Sequence, residues 1–278
     1  MEAMMTEAPH VPPGVDPTTP TAARIYDWML RGKNNFPPDQ AAGQKILAAS
    51  PELGDSAFAN RGFHQRAAKY IAERGVKQFI DVGSGLPTVG NTHEVVQPIV
   101  PDVVVVYVDN DPMVQLHSED LVSGEEKIAA VLGELREPGS ILENPDVTAF
   151  IDFTQPVGLL LTGVMHFLPD SEDPWGLLRR YMAALPSGSY LSLSHLTDEN
   201  KPPVNAERFR AVFDNATEHM YFRDRAAVEK FFEGLEIVPP YPGAEPAVTF
   251  AGLWGAEDPQ LADTDGSRWL YCGVARRP

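Results

Sequence analysis

The chain has 278 residues, 43% of them hydrophobic, enough for one large domain or a domain with a cap around a substantial core. Asp plus Glu number 39 against 22 Lys plus Arg, a formal charge of -17 without a basic run, which argues against nucleic acid and anionic membranes as partners. One cysteine, no HExxH or Cys/His cluster, no apolar run of about 18 residues and no basic-then-apolar leader exclude a disulfide, metal site, membrane span or signal peptide from the expected features, so the chain reads as cytoplasmic.

Residues 1–20 are proline-dense and aperiodic and read as a disordered or loosely docked arm. Thr19 as cap and Pro20 as first residue then open a helix whose apolar face carries Ala22, Ile25, Met29 and Leu30, and which Gly32 stops. Helices over Asp39 to Ala49 and Ala57 to Arg74 complete a helical cap over 21–75. From residue 76 the pattern changes to short runs rich in Val, Ile and Leu: KQFIDVG, VVVVYVD, KIAAVLG, VGLLLTG and YLSLSH. Near-continuous apolar strands alternating with helices indicate a doubly wound, mostly parallel α/β sheet of Rossmann type. After it come helices near Asn205 to Glu218 and Asp224 to Phe232, the short strand LEIV, and a long loop over 240–266. The last strand, RWLYCGVA with Cys272 inside it, reads as antiparallel and closes a seven-stranded sheet over 76–278.

Ligands of such sheets bind beyond the strands' carboxyl ends, and four strands end in informative residues. The first runs into the glycine turn FIDVGSGLPT. Gly83 and Gly85 fill the first and third positions of a dinucleotide fingerprint, but Thr88 stands at the sixth, and no Walker loop follows. Asp81, just before the glycines, would repel a pyrophosphate and suit a cation. The amino group and sulfonium of S-adenosylmethionine (SAM) are such cations. Asp109, ending the second strand, can accept both hydroxyls of a ribose. Asp111-Pro112 then caps and opens a helix. Glu134, after the third strand, is placed to accept from an exocyclic amine. Ser84, Asn110 and Leu135 join these as neighbours. Thr162 and Gly163 end the fourth strand, where a small residue permits close backbone approach.

These segments resemble a class I SAM-dependent methyltransferase, and more closely an actinobacterial family of inferred S-adenosyl methyltransferases with largely undefined substrates. The resemblance rests on AARIYDWMLRGKNNF, GSGLPTVGNTHEV, YVDNDP, ELREP and HFLPD, and spans roughly residues 18–276. Glu134 departs from the family's aspartate, and Arg31 stands where the family has glycine. Pro87 replaces the third glycine of many methyltransferases and has no N–H to donate, so the following helix is expected to start near Asn91 or Thr92. The resemblance implies that the N-terminal segment folds over the cofactor, with Tyr26, Lys33 and Asn35 closing the pocket.

The expected activity is methyl transfer from SAM to a small-molecule acceptor. The sulfonium already activates the methyl group, so alignment and exclusion of water suffice unless the acceptor must lose a proton. His166 and His195 are the general-base candidates for that case, and His93 is placed to orient the turn before it. The acceptor pocket is expected from the N-terminal segment, the 196–222 connection and the 240–266 loop. A SAM-binding protein without turnover and an NAD-dependent oxidoreductase are the competing readings.

Overall fold

The computed structural model describes residue 11 and residues 14–278. The arm read over residues 1–20 thus falls mostly outside the described residues. Its end is docked, because the Arg24 guanidinium donates to the Thr19 carbonyl and Thr217 N donates to the Pro20 carbonyl.

Three helices come first: α1 (Ala22–Met29), α2 (Pro37–Ala49) and α3 (Leu53–Glu73). The sheet region follows as β1 (Gln78–Val82), α4 (Thr92–Val96), β2 (Val104–Asp109), α5 (Pro112–Leu121), β3 (Ile128–Leu132), α6 (Pro138–Leu142), α7 (Pro145–Thr148), β4 (Gly158–Thr162), α8 (Pro174–Ala184) and β5 (Tyr190–Leu196). The chain ends with α9 (Pro203–Phe213), α10 (Arg225–Glu229), β6 (Glu236–Ile237), β7 (Thr249–Phe250), α11 (Pro259–Ala262) and β8 (Leu270–Arg276).

The sheet runs β3-β2-β1-β4-β5-β8-β6. Its first five strands are parallel, and β8 lies antiparallel between β5 and β6. All seven expected strands form. An eighth, the two-residue β7, arises inside the 240–266 loop and pairs with Cys272 and Tyr271 of β8. Strand order reverses between β1 and β4, so the crevice beyond their carboxyl ends is the place for a ligand. Among the described residues no helix is long and apolar enough to cross a membrane.

Both faces of the sheet are covered, which is why its strands are apolar throughout. Alternation sends Phe79 of β1, with Val105 and Tyr107 of β2, toward α3. Ile80 and Val82, with Val106 and Val108, face the layer that holds α6, α7 and α8. Asp81 follows the parity of Phe79 and therefore emerges on the α3 side. That parity decides its neighbours.

The start of α1 differs from expectation. α1 is capped by Thr21, whose side chain accepts from Arg24 N, not by Thr19. Thr19 and Pro20 instead spend their carbonyls on Arg24 and Thr217. The helix ends at Met29, before Gly32, because Arg31 turns left-handed at φ 63. Arg31 thus occupies a conformation that glycine adopts at little cost, and its exposed guanidinium rests on Phe58. α4 starts at Thr92, capped by Asn91 with Glu94 completing a capping box, as Pro87 requires.

Candidate functional site

A cavity of about 200 Å³ opens where β1 and β4 part, roofed by α1 and α3. Asp81, Gly83, Ser84, Gly85, Asp109, Asn110, Glu134, Leu135, Thr162, Gly163, Tyr26 and His166 all line it. Lys33 and Asn35 do not. Lys33 is exposed on the α1–α2 turn, and Asn35 is spent on that turn, donating to Asp27 Oδ2 at 2.7 Å and to the Gly32 carbonyl. Tyr26 reaches the cavity because α1 crosses α3: its hydroxyl donates to the Ala57 carbonyl and accepts from Asn60, both at 3.1 Å.

Gly83 and Gly85 turn left-handed at φ 69 and φ 65. Their surroundings differ. A Cβ on Gly83 would stand 2.2 Å from Val164 Cγ1, whereas a Cβ on Gly85 would meet open space. Gly83→Ala is therefore expected to lose about 1–2 kcal/mol of stability to backbone strain and a further ~1–3 kcal/mol to overpacking. Gly85→Ala should lose only the first part, and urea denaturation of the two variants checks the difference.

Asp109 receives Gly85 N at 2.9 Å and Asp111 N at 3.0 Å, which holds its carboxylate at the mouth of the turn. Burial raises its pKa from 3.8 to about 6, against those two hydrogen bonds, and the charge of Asp111 adds to the rise. It makes no ion pair among the described residues. Asp111 caps α5 through Met113 N, and its other oxygen, Oδ2, is buried with no partner among the described residues. Glu134 accepts from Asn110 Nδ2 at 3.0 Å and from Arg136 N at 3.0 Å. Burial pushes this carboxyl up, but those bonds and the Arg136 charge outweigh it and leave the group below its ordinary value.

Asp81 lies in a chain of hydrogen bonds with a fixed direction. Thr92 Oγ1 donates its only proton to Asp81 Oδ2 at 2.7 Å. His64 Nε2, 2.8 Å from the same Thr92 oxygen, must then be the donor there. His64 Nδ1 is left to accept from Thr162 Oγ1 at 3.1 Å. One directed chain, Thr162 to His64 to Thr92 to Asp81, thus joins the ends of β4 and β1. Burial lowers the His64 pKa to about 4, so the ring is neutral at pH 7.

His64 belongs to a group that sequence reasoning missed. Ala57, Asn60, Arg61 and His64 follow one another at i, i+3, i+4 and i+7 along α3 and line the cavity together. A polar stripe at helical spacing beside an apolar one was the available signal. Nothing local says that the polar stripe faces inward.

The two histidines considered as bases have no free lone pair. His195 is fully buried behind the cavity; its Nδ1 lies 2.7 Å from the Leu196 carbonyl, and Arg223 donates to its Nε2. The same guanidinium binds the carbonyls of Met165 and Leu168 and the Asp170 carboxylate, so it clamps the whole HFLPD turn. His166 does line the cavity. Its Nδ1 accepts from Leu196 N at 3.4 Å, which leaves the proton of the neutral ring on Nε2. Burial, with the Arg223 charge adding, lowers its pKa to about 3. His93 binds the Tyr107 hydroxyl at 2.7 Å and so ties α4 to β2.

Beyond this polar end the cavity becomes apolar. Ile25 and Met29 of α1, Ile46 of α2, Phe209 and Phe213 of α9, Phe167, Leu196, Met220 and Leu270 enclose it. No residue of 240–266 lines it, contrary to expectation. That loop is bolted to the outside of α3, where Arg66 donates to the carbonyls of Trp254 and Ala251 and Trp254 packs edge-on against Phe63 and Tyr70.

Residues 9–278 match the model of a family described as S-adenosyl methyltransferase. The chain belongs to that family. Two solved structures are similar to this methyltransferase over nearly its whole length. One is an inferred methyltransferase from Thermobifida fusca YX, 37% identical, covering 96% of this chain and 98% of that one with a TM-score of 0.87. The other is a DUF574-family protein from Streptomyces avermitilis MA-4680, also 37% identical, covering 94% and 98% with a TM-score of 0.86. No curated protein matches the chain.

The methyltransferase uses SAM as cofactor, and its strand-end crevice fits that group. Open space at Gly85 lets a ligand approach the backbone. Three carboxylates converge on a site where the ligand is cationic and rich in donors. Arg61 Nε and Asp111 Oδ2, buried and without a hydrogen-bond partner among the described residues, belong to residues of the same lining.

Proposed function

We propose that this methyltransferase modifies an uncharged small molecule with an apolar, ring-sized body, and does so in the cytoplasm. Bound SAM supplies an activated methyl group on a sulfonium. The roles proposed for the chain's own residues follow from their chemistry. Asp109 accepts from the ribose hydroxyls. Glu134, steadied by Asn110 and Arg136, accepts from the adenine amine, with Leu135 against the base. Asp81 accepts from the amino group, Gly83, Ser84 and Gly85 present backbone, and Thr162 and Gly163 border the place of transfer.

The observation that carries the acceptor class is the charge of the apolar chamber. Arg61 and Arg136 are the lysines or arginines that line the cavity; Arg61 leans on the turn before α4, and Arg136 is paired with Glu134 and Glu172. Arg61 stands at the polar end, where it and Asp81 both act on His64, so among the described residues the apolar chamber under α1 and α9 offers no further cation to a phosphate or carboxylate. Its partly buried anion, Glu218, accepts from Ala22 N. The net charge of -17 opposes a nucleic acid further. With the one lone pair of the neutral His166 ring accepting from Leu196 N, the reading assigns catalysis to alignment and water exclusion, as suits an acceptor whose nucleophile is free at neutral pH.

The test incubates the protein with methyl-labelled SAM and matched neutral, anionic and cationic bicyclic aromatics, with tRNA as a further substrate. Transfer to neutral compounds above the others is expected. Preferential labelling of the carboxylates or of tRNA would reject the acceptor class, and failure of folded protein to bind SAM would remove the whole reading.

A further inference from the structure

The chain between α9 and α10, residues 214–224, is neither helix nor strand, yet it is pinned at three points. Thr217 N donates to the Pro20 carbonyl, Tyr221 N to the His166 carbonyl at 2.8 Å, and Arg223 N to the Leu196 carbonyl. Between the first two pins, Glu218 and Met220 line the cavity. The other carboxylates of the lining, Asp81, Asp109, Asp111 and Glu134, stand at or just after the strand ends. Glu218 stands apart from them, against the first turn of α1. Its Oε2 accepts from Ala22 N at 3.4 Å and from the Thr217 hydroxyl. Among the described residues its Oε1 has no hydrogen-bond partner, and the carboxylate has no ion pair. Four residues along α1, about 6 Å on, Tyr26 accepts from Asn60 Nδ2. That amide nitrogen lies 3.0 Å from where a Cβ on Gly163 would stand, at the proposed place of transfer. One helix thus carries a free carboxylate oxygen at one turn and borders the transfer end at the next.

We infer that Glu218 selects and orients the methyl acceptor by accepting a hydrogen bond from a hydroxyl or neutral N–H on its ring body. The inference rests on the acceptor class proposed above and adds a polar handle to it. A molecule that fills the apolar chamber displaces water from it, and a carboxylate oxygen left bare would then cost affinity, whereas a donor on the ring removes that cost. A hydrogen bond to an ionised carboxylate is also stronger than a neutral one. An ammonium has three N–H groups to satisfy. Beside Phe209, Phe213 and Met220 it would find one free oxygen, so a single neutral donor matches the site better. Held at Glu218, the ring is kept from turning in the chamber and presents its other end toward Gly163.

The test titrates three probes into protein saturated with S-adenosylhomocysteine: 2-naphthol, 2-methoxynaphthalene, which lacks the donor, and the cation 2-naphthylmethylammonium. Wild type is compared with Glu218→Gln. Glutamine keeps an oxygen for Ala22 N and Thr217 and turns an N–H into the chamber in place of the free oxygen. Wild type is expected to bind 2-naphthol about tenfold or more tightly than either other probe, the usual scale for a charged hydrogen bond. Glu218→Gln should bring 2-naphthol and 2-methoxynaphthalene close together, with S-adenosylhomocysteine affinity and the urea midpoint unchanged. Equal wild-type affinity for these two probes, the same preference in both proteins, or a loss of both probes together with S-adenosylhomocysteine would make Glu218 a brace for α1 alone. Tightest binding of the cation would make it a counter-ion. Each of these results overturns the inference and leaves the methyltransferase reading in place. Wild type that binds S-adenosylhomocysteine but none of the probes would overturn the acceptor class, and the inference with it.

Discussion

Asp109→Asn is expected to weaken S-adenosylhomocysteine by about 10- to 100-fold, the loss of charge-assisted bonds to two hydroxyls. The same substitution should change how the ligand-free protein responds to pH. Burial raises the folded pKa of Asp109 to about 6 from 3.8. Between those values the folded chain holds a proton that the unfolded chain has released. The wild type therefore loses stability as pH rises through this window, by up to about 3 kcal/mol over roughly two pH units. The variant has no proton to lose there, so its stability relative to wild type should improve between pH 4 and pH 7. Ligand hydroxyls favour the charged carboxylate, so wild-type affinity should fall as pH drops below about 6. Urea denaturation and calorimetry at several pH values check both. Parallel stability curves for the two proteins, or an affinity flat across pH 5–7, would show that Asp109 is not the titrating acceptor.

Asp39→Ala is expected to be the most damaging single change in the cap, at about 3–5 kcal/mol. Asp39 and Arg24 are an ion pair at 2.9 Å with side chains essentially out of solvent. Asp39 also accepts from Thr21 N at 3.1 Å and Phe36 N at 2.8 Å. One carboxylate thus starts both α1 and α2 and neutralises a buried guanidinium. Removal leaves that charge unpaired and two backbone donors unsatisfied. Ile25, Tyr26 and Met29 of α1 line the cavity, so ligand affinity should fall together with the urea midpoint. Arg24→Met combined with Asp39→Leu should recover only part of the loss, because the two N–H groups still lack an acceptor. A fall of less than about 1 kcal/mol for Asp39→Ala would mean that packing, not this pair, holds the cap.

Legibility followed the range of the physics. Continuous apolar runs demand a sheet covered on both faces, and the residues at their carboxyl ends must border the crevice whatever the loops do. Asp81, Gly83, Gly85, Asp109, Glu134, Thr162 and Gly163 could therefore be placed in one site from strand periodicity and chain order. The start of α4 was equally local, because Pro87 has no N–H and Asn91 with Glu94 forms a capping box. The family resemblance added Tyr26, which lines the cavity, and Lys33 and Asn35, which do not.

The tertiary structure alone decided which side chains meet across elements. α3 carries Asn60, Arg61 and His64 into the crevice only because its apolar stripe packs on the face of the sheet from which Asp81 emerges, and helix spacing contains no information about that docking. His166 and His195 look alike at the ends of strands and turns; the neighbours of their ring nitrogens, Leu196 and Arg223, remove the lone pairs that a base would need. The 240–266 loop reads as a free segment because its anchors, Arg66 and the Phe63–Trp254 contact, lie nearly 190 residues away in the chain. Strand and turn chemistry acts over a few residues and is written in the sequence. Hydrogen-bond direction, burial and charge balance depend on partners that only folding brings together.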